Sequence, residues 1–146
     1  MNNKIDFNKI IITFFGVGLL PIAPGTFGSL AGVLLGIIAF SISNMAIYIL
    51  IPILFVVGII CSNIHQNKTG KKDDSIIVID EVVGQLIAMI YAKDNIELII
   101  ISFIIFRIFD IIKPWPASYA DKKIDGGLGV MLDDVFAGLY TAIVII

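Results

Sequence analysis

Five acidic residues stand in or against apolar stretches of this chain, as Asp80-Glu81, Asp110 and Asp133-Asp134. An ionised carboxylate in hydrocarbon is strongly disfavoured without a partner, so acids in such surroundings point to a functional site. Oxygen donors with no accompanying histidine or cysteine favour a hard divalent cation, Mg²⁺ or Mn²⁺ in its place, over zinc. Adjacent residues on a helix diverge by about 100°. One member of each pair is therefore expected to face a shared centre, and the other to support it or cap a backbone. Acids in the first turn of a helix are also favoured by its dipole, which is the plainer account of Asp80-Glu81. That account is weaker for Asp133-Asp134, inside an apolar run.

Arg107, Asp110 and Lys113 recur at i, i+3 spacing, which predicts one helix face with two cations flanking a carboxylate. That set can be a structural ion pair. It also suits a phosphate, which arginine clamps through two donors and lysine meets as a point charge. Pro24-Gly25-Thr26-Phe27-Gly28-Ser29 opens a helix with exposed backbone N–H groups and two hydroxyls, a start that can hold a phosphate oxygen. The same residues also serve as an N-cap and a close-packing surface in a membrane. Asp73 and Asp121 are second-rank candidates. His65, the sole histidine, falls in the polar stretch HQNKTGKKDDS and is expected to be solvated. The lone Cys61 reads as a small buried hydrophobe.

The elements that must position these groups are membrane helices. The 146 residues are 58% hydrophobic and read as a single domain, 1–146, with a mean hydropathy of +1.02. No Asp, Glu, Lys or Arg occurs from Ile10 to Ile64, far more than the roughly 20 residues one crossing needs. The apolar N-terminal run lacks a clean cleavage site and reads as retained structure. Ile10 to Leu20, stopped by Pro21 and Pro24, is too short to span and predicts an interfacial or re-entrant helix. Spans are expected over Gly28–Ile42, Met45–Asn63, Ile76–Ala92, Ile96–Ile112 and Leu128–Ile146, some of them short. The fold class is thus all-α, a polytopic membrane bundle of four to five transmembrane helices.

Basic residues orient it. With the N-terminus inside, Lys4, Lys9, Lys68, Lys71, Lys72, Lys113, Lys122 and Lys123 fall on one side and only Lys93 on the other, so the motifs converge near the cytoplasmic face. A net charge of −2 without a basic stripe argues against nucleic acid. Gly28, Gly32 and Gly36 have the small-xxx-small spacing that would permit close helix association, including in a homo-oligomer.

Four blocks carry a resemblance: Gly16-Val-Gly with Ala23-Pro-Gly-Thr-Phe-Gly-Ser29; Ile77-Val-Ile-Asp-Glu-Val-Val-Gly84; Phe106-Arg-Ile-Phe-Asp-Ile-Ile-Lys-Pro-Trp-Pro116; and Gly126-Gly-Leu-Gly-Val-Met-Leu-Asp-Asp-Val-Phe-Ala-Gly138. In order and over nearly the whole chain, the sequence resembles the phosphatidylglycerophosphatase A family. The resemblance implies a Mg²⁺-dependent lipid phosphatase of the bacterial inner (cytoplasmic) membrane that converts phosphatidylglycerophosphate to phosphatidylglycerol and phosphate. Some relatives carry a histidine where Asp125 stands, which weakens any essential role for that position. On this reading Asp80, Glu81, Asp110, Asp133 and Asp134 hold one or two Mg²⁺ ions and activate a water. Lys113 and Arg107 offset phosphate charge, and Thr26 and Ser29 help to fix the phosphate. A covalent phosphoserine or phosphoaspartate route is the competing chemistry. A small cation or proton transporter using intramembrane carboxylates is the competing class.

Overall fold

The computed structural model describes residues 6–146; Lys4, one of the orienting lysines, lies outside them. Among the described residues the chain is all helical: α1 (Phe7–Ile12), a 3-10 turn (Val17–Leu19), α2 (Pro24–Ile42), α3 (Ala46–Thr69), α4 (Ile79–Ala88), α5 (Ile96–Ile112), α6 (Ala117–Lys123) and α7 (Gly126–Ile145). Three of them, α2, α3 and α7, are long and apolar enough to cross a membrane. At 1.5 Å per residue they measure about 28, 36 and 30 Å, against a hydrocarbon core of roughly 30 Å. Helix α5, at about 26 Å, is slightly shorter.

Local chemistry sets the boundaries. Pro24 occupies the first turn of α2, where its missing N–H costs nothing. Asn95 caps α5 by accepting from Leu98 N at 3.1 Å. Gly70 ends α3 in the left-handed region, at φ +73°. Pro52 lies inside α3 without breaking it.

The core is built around α4, which packs against α2, α3, α5 and α7. Every residue of α4 except Glu81 is buried, so this ten-residue helix is enclosed by protein on nearly every side. Its one internal amide, Gln85, donates to Ser102 Oγ of α5 at 3.4 Å. The small residues of α2 are consumed here: a Cβ at Gly28 would stand 2.8 Å from Val78 Cβ, and one at Gly32 2.9 Å from Gln85 Cβ. The Gly28-Gly32-Gly36 stripe therefore serves packing within the chain and is not free to meet another copy. Gly84 and Gly138 allow the same close approach between α4 and α7.

Outward faces carry Leu34, Ile38, Ile53, Ile60, Ile104 and Ile143, all more than 40% exposed. An apolar belt of that extent suits lipid and not water.

Several sequence expectations shift. Helix α2 starts four residues before the expected span, at Pro24. Helix α3 continues to Thr69, so His65 lies on a helix and not in a solvent loop. It is buried, with Nε2 3.0 Å from Asp74 Oδ2, because the 70–78 connection folds back onto the end of α3. The stretch to Ala92 is helical only to Ala88 and finishes in turns. A further short helix, α6, forms inside the expected 113–127 loop. The Ile10–Leu20 stretch forms the end of α1 and the 3-10 turn. It is tied to the bundle by Asn8 Nδ2 donating to Cys61 O at 3.0 Å and Val78 N donating to Ile12 O at 2.8 Å.

Candidate active site

The start of α2, the start of α4, the end of α5 and the first half of α7 meet at one site. Helix α4 presents Asp80 and Glu81 in its first turn; α7 presents Asp133 and Asp134 two turns in. One carboxylate oxygen each from Asp80, Asp133 and Asp134 lies within 4.8 Å of the others. All three side chains are buried, Asp134 to 2% exposure. From Asp134 α7 continues about 16 Å to its far end, and from Asp110 α5 runs back about 21 Å.

The expectation that one acid of each pair would face the centre holds for α4 and fails for α7. Asp80 joins the cluster while Glu81 turns towards α2, where a Cβ on Gly25 would stand 2.5 Å from Glu81 Oε1. On α7 both acids reach the centre, and close α4–α7 packing brings Asp80 within 4.8 Å of both. Each pair is braced locally: Glu81 N donates to Asp80 Oδ1 at 3.0 Å, and Asp134 N to Asp133 Oδ1 at 2.9 Å.

Two cations border the acids. Arg107 Nη1 donates to Asp110 Oδ2 and, at 3.4 Å, to Ser29 Oγ, which itself donates to Gly25 O at 3.0 Å. Lys113 does not continue the α5 face as its spacing predicts. It follows the last helical residue in left-handed backbone, φ +49°, because Pro114 cannot extend the helix. Its ammonium swings to α7 and α6, donating to Asp133 Oδ2 at 2.7 Å and Asp121 Oδ1 at 3.0 Å. Thr26 is half-buried at the start of α2, with no side-chain hydrogen bond to the cluster.

Glu81 Oε2 and Asp134 Oδ1 are buried without a hydrogen-bond partner among the described residues. Unpaired carboxylate oxygens at low dielectric are costly, and Asp80, Glu81, Asp110, Asp133 and Asp134 outnumber the two cations beside them. A divalent cation among Asp80, Asp133 and Asp134 would offset that imbalance with the all-oxygen donors such ions take. The residues fit a metal.

Other candidates lie apart. Asp73 is exposed, and Asp125, itself exposed, pairs with Lys72 at 3.6 Å. His65 and Cys61 are in neighbouring packing and not in the site. The direct tie between Asp121 and Lys113 is the feature that sequence reasoning underweighted. The small residues Ala117 and Ala120, both buried, were the available signal that a helix after Pro116 folds back on α7.

Comparison with known proteins decides the family. The profile of the family described as phosphatidylglycerophosphatase A matches residues 10–146. The chain belongs to the phosphatidylglycerophosphatase A family. A Haemophilus influenzae protein named phosphatidylglycerophosphatase A is 40% identical over 133 residues, covering 90% of this chain and 82% of that protein. The Escherichia coli protein of the same name is 33% identical over 129 residues, 88% of this chain and 75% of its own. A Bacteroides thetaiotaomicron protein, provisionally described as a phosphatidylinositol-3-phosphatase, is 38% identical over 152 residues, 93% of this chain and 89% of that protein. No solved structure matches the chain. This family member is a membrane protein and a phosphatase, a phosphoric monoester hydrolase, and its acidic trio is the place where a metal could bind.

Proposed function

We propose that this phosphatidylglycerophosphatase A family member hydrolyses phosphatidylglycerophosphate to phosphatidylglycerol and inorganic phosphate, using Mg²⁺, at the cytoplasmic face of the bacterial inner membrane. The observation that carries this reading is the buried trio Asp80, Asp133 and Asp134, with two unpartnered carboxylate oxygens beside it and Lys113 and Arg107 at its border. The relatives named phosphatidylglycerophosphatase A support the headgroup.

Asp80, Asp133 and Asp134, with Glu81 and Asp110 alongside, would hold the ion, which when bound supplies charge to draw in the phosphate and acidify a water. Lys113 and Arg107 offset charge that grows on the equatorial oxygens in the transition state. Ser29, Thr26 and the Gly25 N–H at the start of α2 would orient the phosphate, the Thr26 and Phe27 amides being engaged by Ala23 O. Glu81, outside the trio that would hold the ion, would take the proton that the attacking water loses through its unpartnered Oε2 and return it to the leaving glycerol oxygen. The new P–O bond forms from water, the bond to the glycerol oxygen breaks, and that oxygen leaves protonated.

The whole of 1–146 would act as one embedded domain in which α2, α3, α5 and α7 cross, with α4 and its following turns as a short, protein-enclosed fifth pass. The excess of lysines at the site end supports a cytoplasmic orientation for that end. A homo-oligomer, should one form, would use the outward apolar faces. The transporter reading is not favoured: from the cluster to Asp94 and Glu97 at the far turn no carboxylate occurs on any helix, so no acidic relay crosses the layer.

The test of substrate is phosphate release by the purified protein in detergent from phosphatidylglycerophosphate beside phosphatidylinositol 3-phosphate. Preference for the first supports the proposal; preference for the second, or release from neither by folded protein, contradicts it.

A further inference from the structure

A groove of about 310 Å³ runs between α5 and α7, lined by Phe109, Pro114, Trp115, Tyr140, Ile143 and Val144. It carries no charge, and it starts where the acidic site stops. Pro114 is bonded to Lys113, whose ammonium donates to Asp133 at 2.7 Å. Phe109 stands one turn before Lys113 on α5. On α7, Asp133, Tyr140 and Val144 are spaced i, i+7 and i+11, so one stripe of the helix begins in the site and becomes the groove wall. The walls are held in place: Tyr140 Oη donates to Trp115 O at 2.7 Å, and the Phe109 and Tyr140 rings meet edge to face at 5.5 Å.

We propose that this groove seats an acyl chain of the lipid phosphomonoester substrate. The inference rests on the phosphatase reading above and deepens it: the phosphate meets Lys113 and the acids, and the chain lies along the α5–α7 seam. The match is one of complementary chemistry, a cation and a metal-binding trio at one end and an uncharged aromatic and aliphatic trough at the other, which is the polarity of a phospholipid. The apolar groove between the 3-10 turn and α2, lined by Phe15, Val17, Leu34 and Ile38, touches none of the site residues and lacks that continuity.

Two readouts test it. In detergent micelles at fixed mole fraction, kcat/KM is compared for dipalmitoyl and dihexanoyl phosphatidylglycerophosphate in the wild type, in Ile143→Trp and Val144→Trp, and in Ile104→Trp on the outward face of α5. Filling the groove is expected to lower the long-to-short ratio of kcat/KM about tenfold, the scale on which an apolar pocket discriminates, and Ile104→Trp to leave the ratio unchanged. An unaltered ratio in both groove variants overturns the proposal. Separately, a dipalmitoyl phosphatidylglycerophosphate with a photoactivatable acyl chain should label peptides containing Trp115 and 140–144. Labelling spread over α2 and α3, or concentrated at the groove by the 3-10 turn, overturns it; so does cross-linking of Ile143→Cys to a second copy in preference to lipid. Because labelling needs no turnover, wild type that releases no phosphate from either lipid sinks the functional reading while the groove is still judged.

Discussion

Replacing Gly84 by alanine should separate the two halves of the site. A Cβ at this position would stand 2.6 Å from Phe106 Cε2 and 2.7 Å from Asp134 O, both in tightly packed surroundings. Recovering an ordinary contact of at least 3.4 Å requires roughly 0.7 Å of movement, and the Asp134 side cannot give without moving the α7 backbone. Overpacking of this kind costs about 1–3 kcal/mol of stability. The larger effect is functional, since Asp80 on α4 and Asp133 and Asp134 on α7 contribute to one trio across this contact. A misplacement approaching 1 Å costs about a hundredfold in rate, equivalent to about 2.7 kcal/mol in the barrier. The assay is kcat/KM for phosphate release from phosphatidylglycerophosphate, with thermal unfolding in the same detergent. Gly70→Ala is the control: nothing lies within 4 Å of its Cβ position, so it bears only the cost of a left-handed φ and should retain activity. Gly84→Ala with wild-type kcat/KM would refute the claim that α4–α7 spacing sets the geometry of the site.

Lys113→Met should lower kcat/KM by at least a hundredfold while Lys113→Arg recovers part of it, because the ammonium is held by Asp133 and Asp121 and its loss leaves a buried carboxylate unpaired; phosphate-release kinetics on the purified variants measure it. The hydrogen bond from His65 holds the Asp74 carboxyl below its ordinary value of 3.8, outweighing the upward push of burial, with the charge of Lys71 a smaller help. A depressed pKa contributes stability that is complete above 3.8 and is lost as the pH falls through the lower folded-state value. The advantage of wild type over Asp74→Asn in thermal unfolding should therefore be constant near neutrality and shrink in acid below about pH 4; an advantage that grows in acid would contradict the assignment.

Much of the site was legible because its groups are chemically conspicuous. Acids in apolar runs and cations near helix ends are few in this chain, and the alternation of crossings alone brings them to one end. What pattern could not give was side-chain direction. The i, i+3 spacing put Lys113 on the face of Asp110, whereas the turn forced by Pro114 sends it to Asp133 and Asp121. The 100° divergence of neighbours allowed one ligand from Asp133-Asp134, whereas both contribute an oxygen to the trio with Asp80 of α4. Gly28, Gly32 and Gly36 read as a surface for association, and only the burial of α4 shows that the partner helix belongs to the same chain. His65 looked solvated because its neighbours are polar; its environment is set by Asp74, nine residues on, in a connection with no regular period.

The most direct test of the account is a Mg²⁺ titration of phosphate release from phosphatidylglycerophosphate by wild type and Asp134→Asn, each shown to be folded in the same detergent. The account predicts saturable, chelator-reversible dependence on Mg²⁺ in the wild type and loss of at least about a thousandfold in kcat/KM for the variant, on the scale of removing a principal charge-stabilising group. Release that persists at full rate after chelation, or an Asp134→Asn enzyme as active as wild type, would contradict the claim that the acidic cluster is a catalytic metal site.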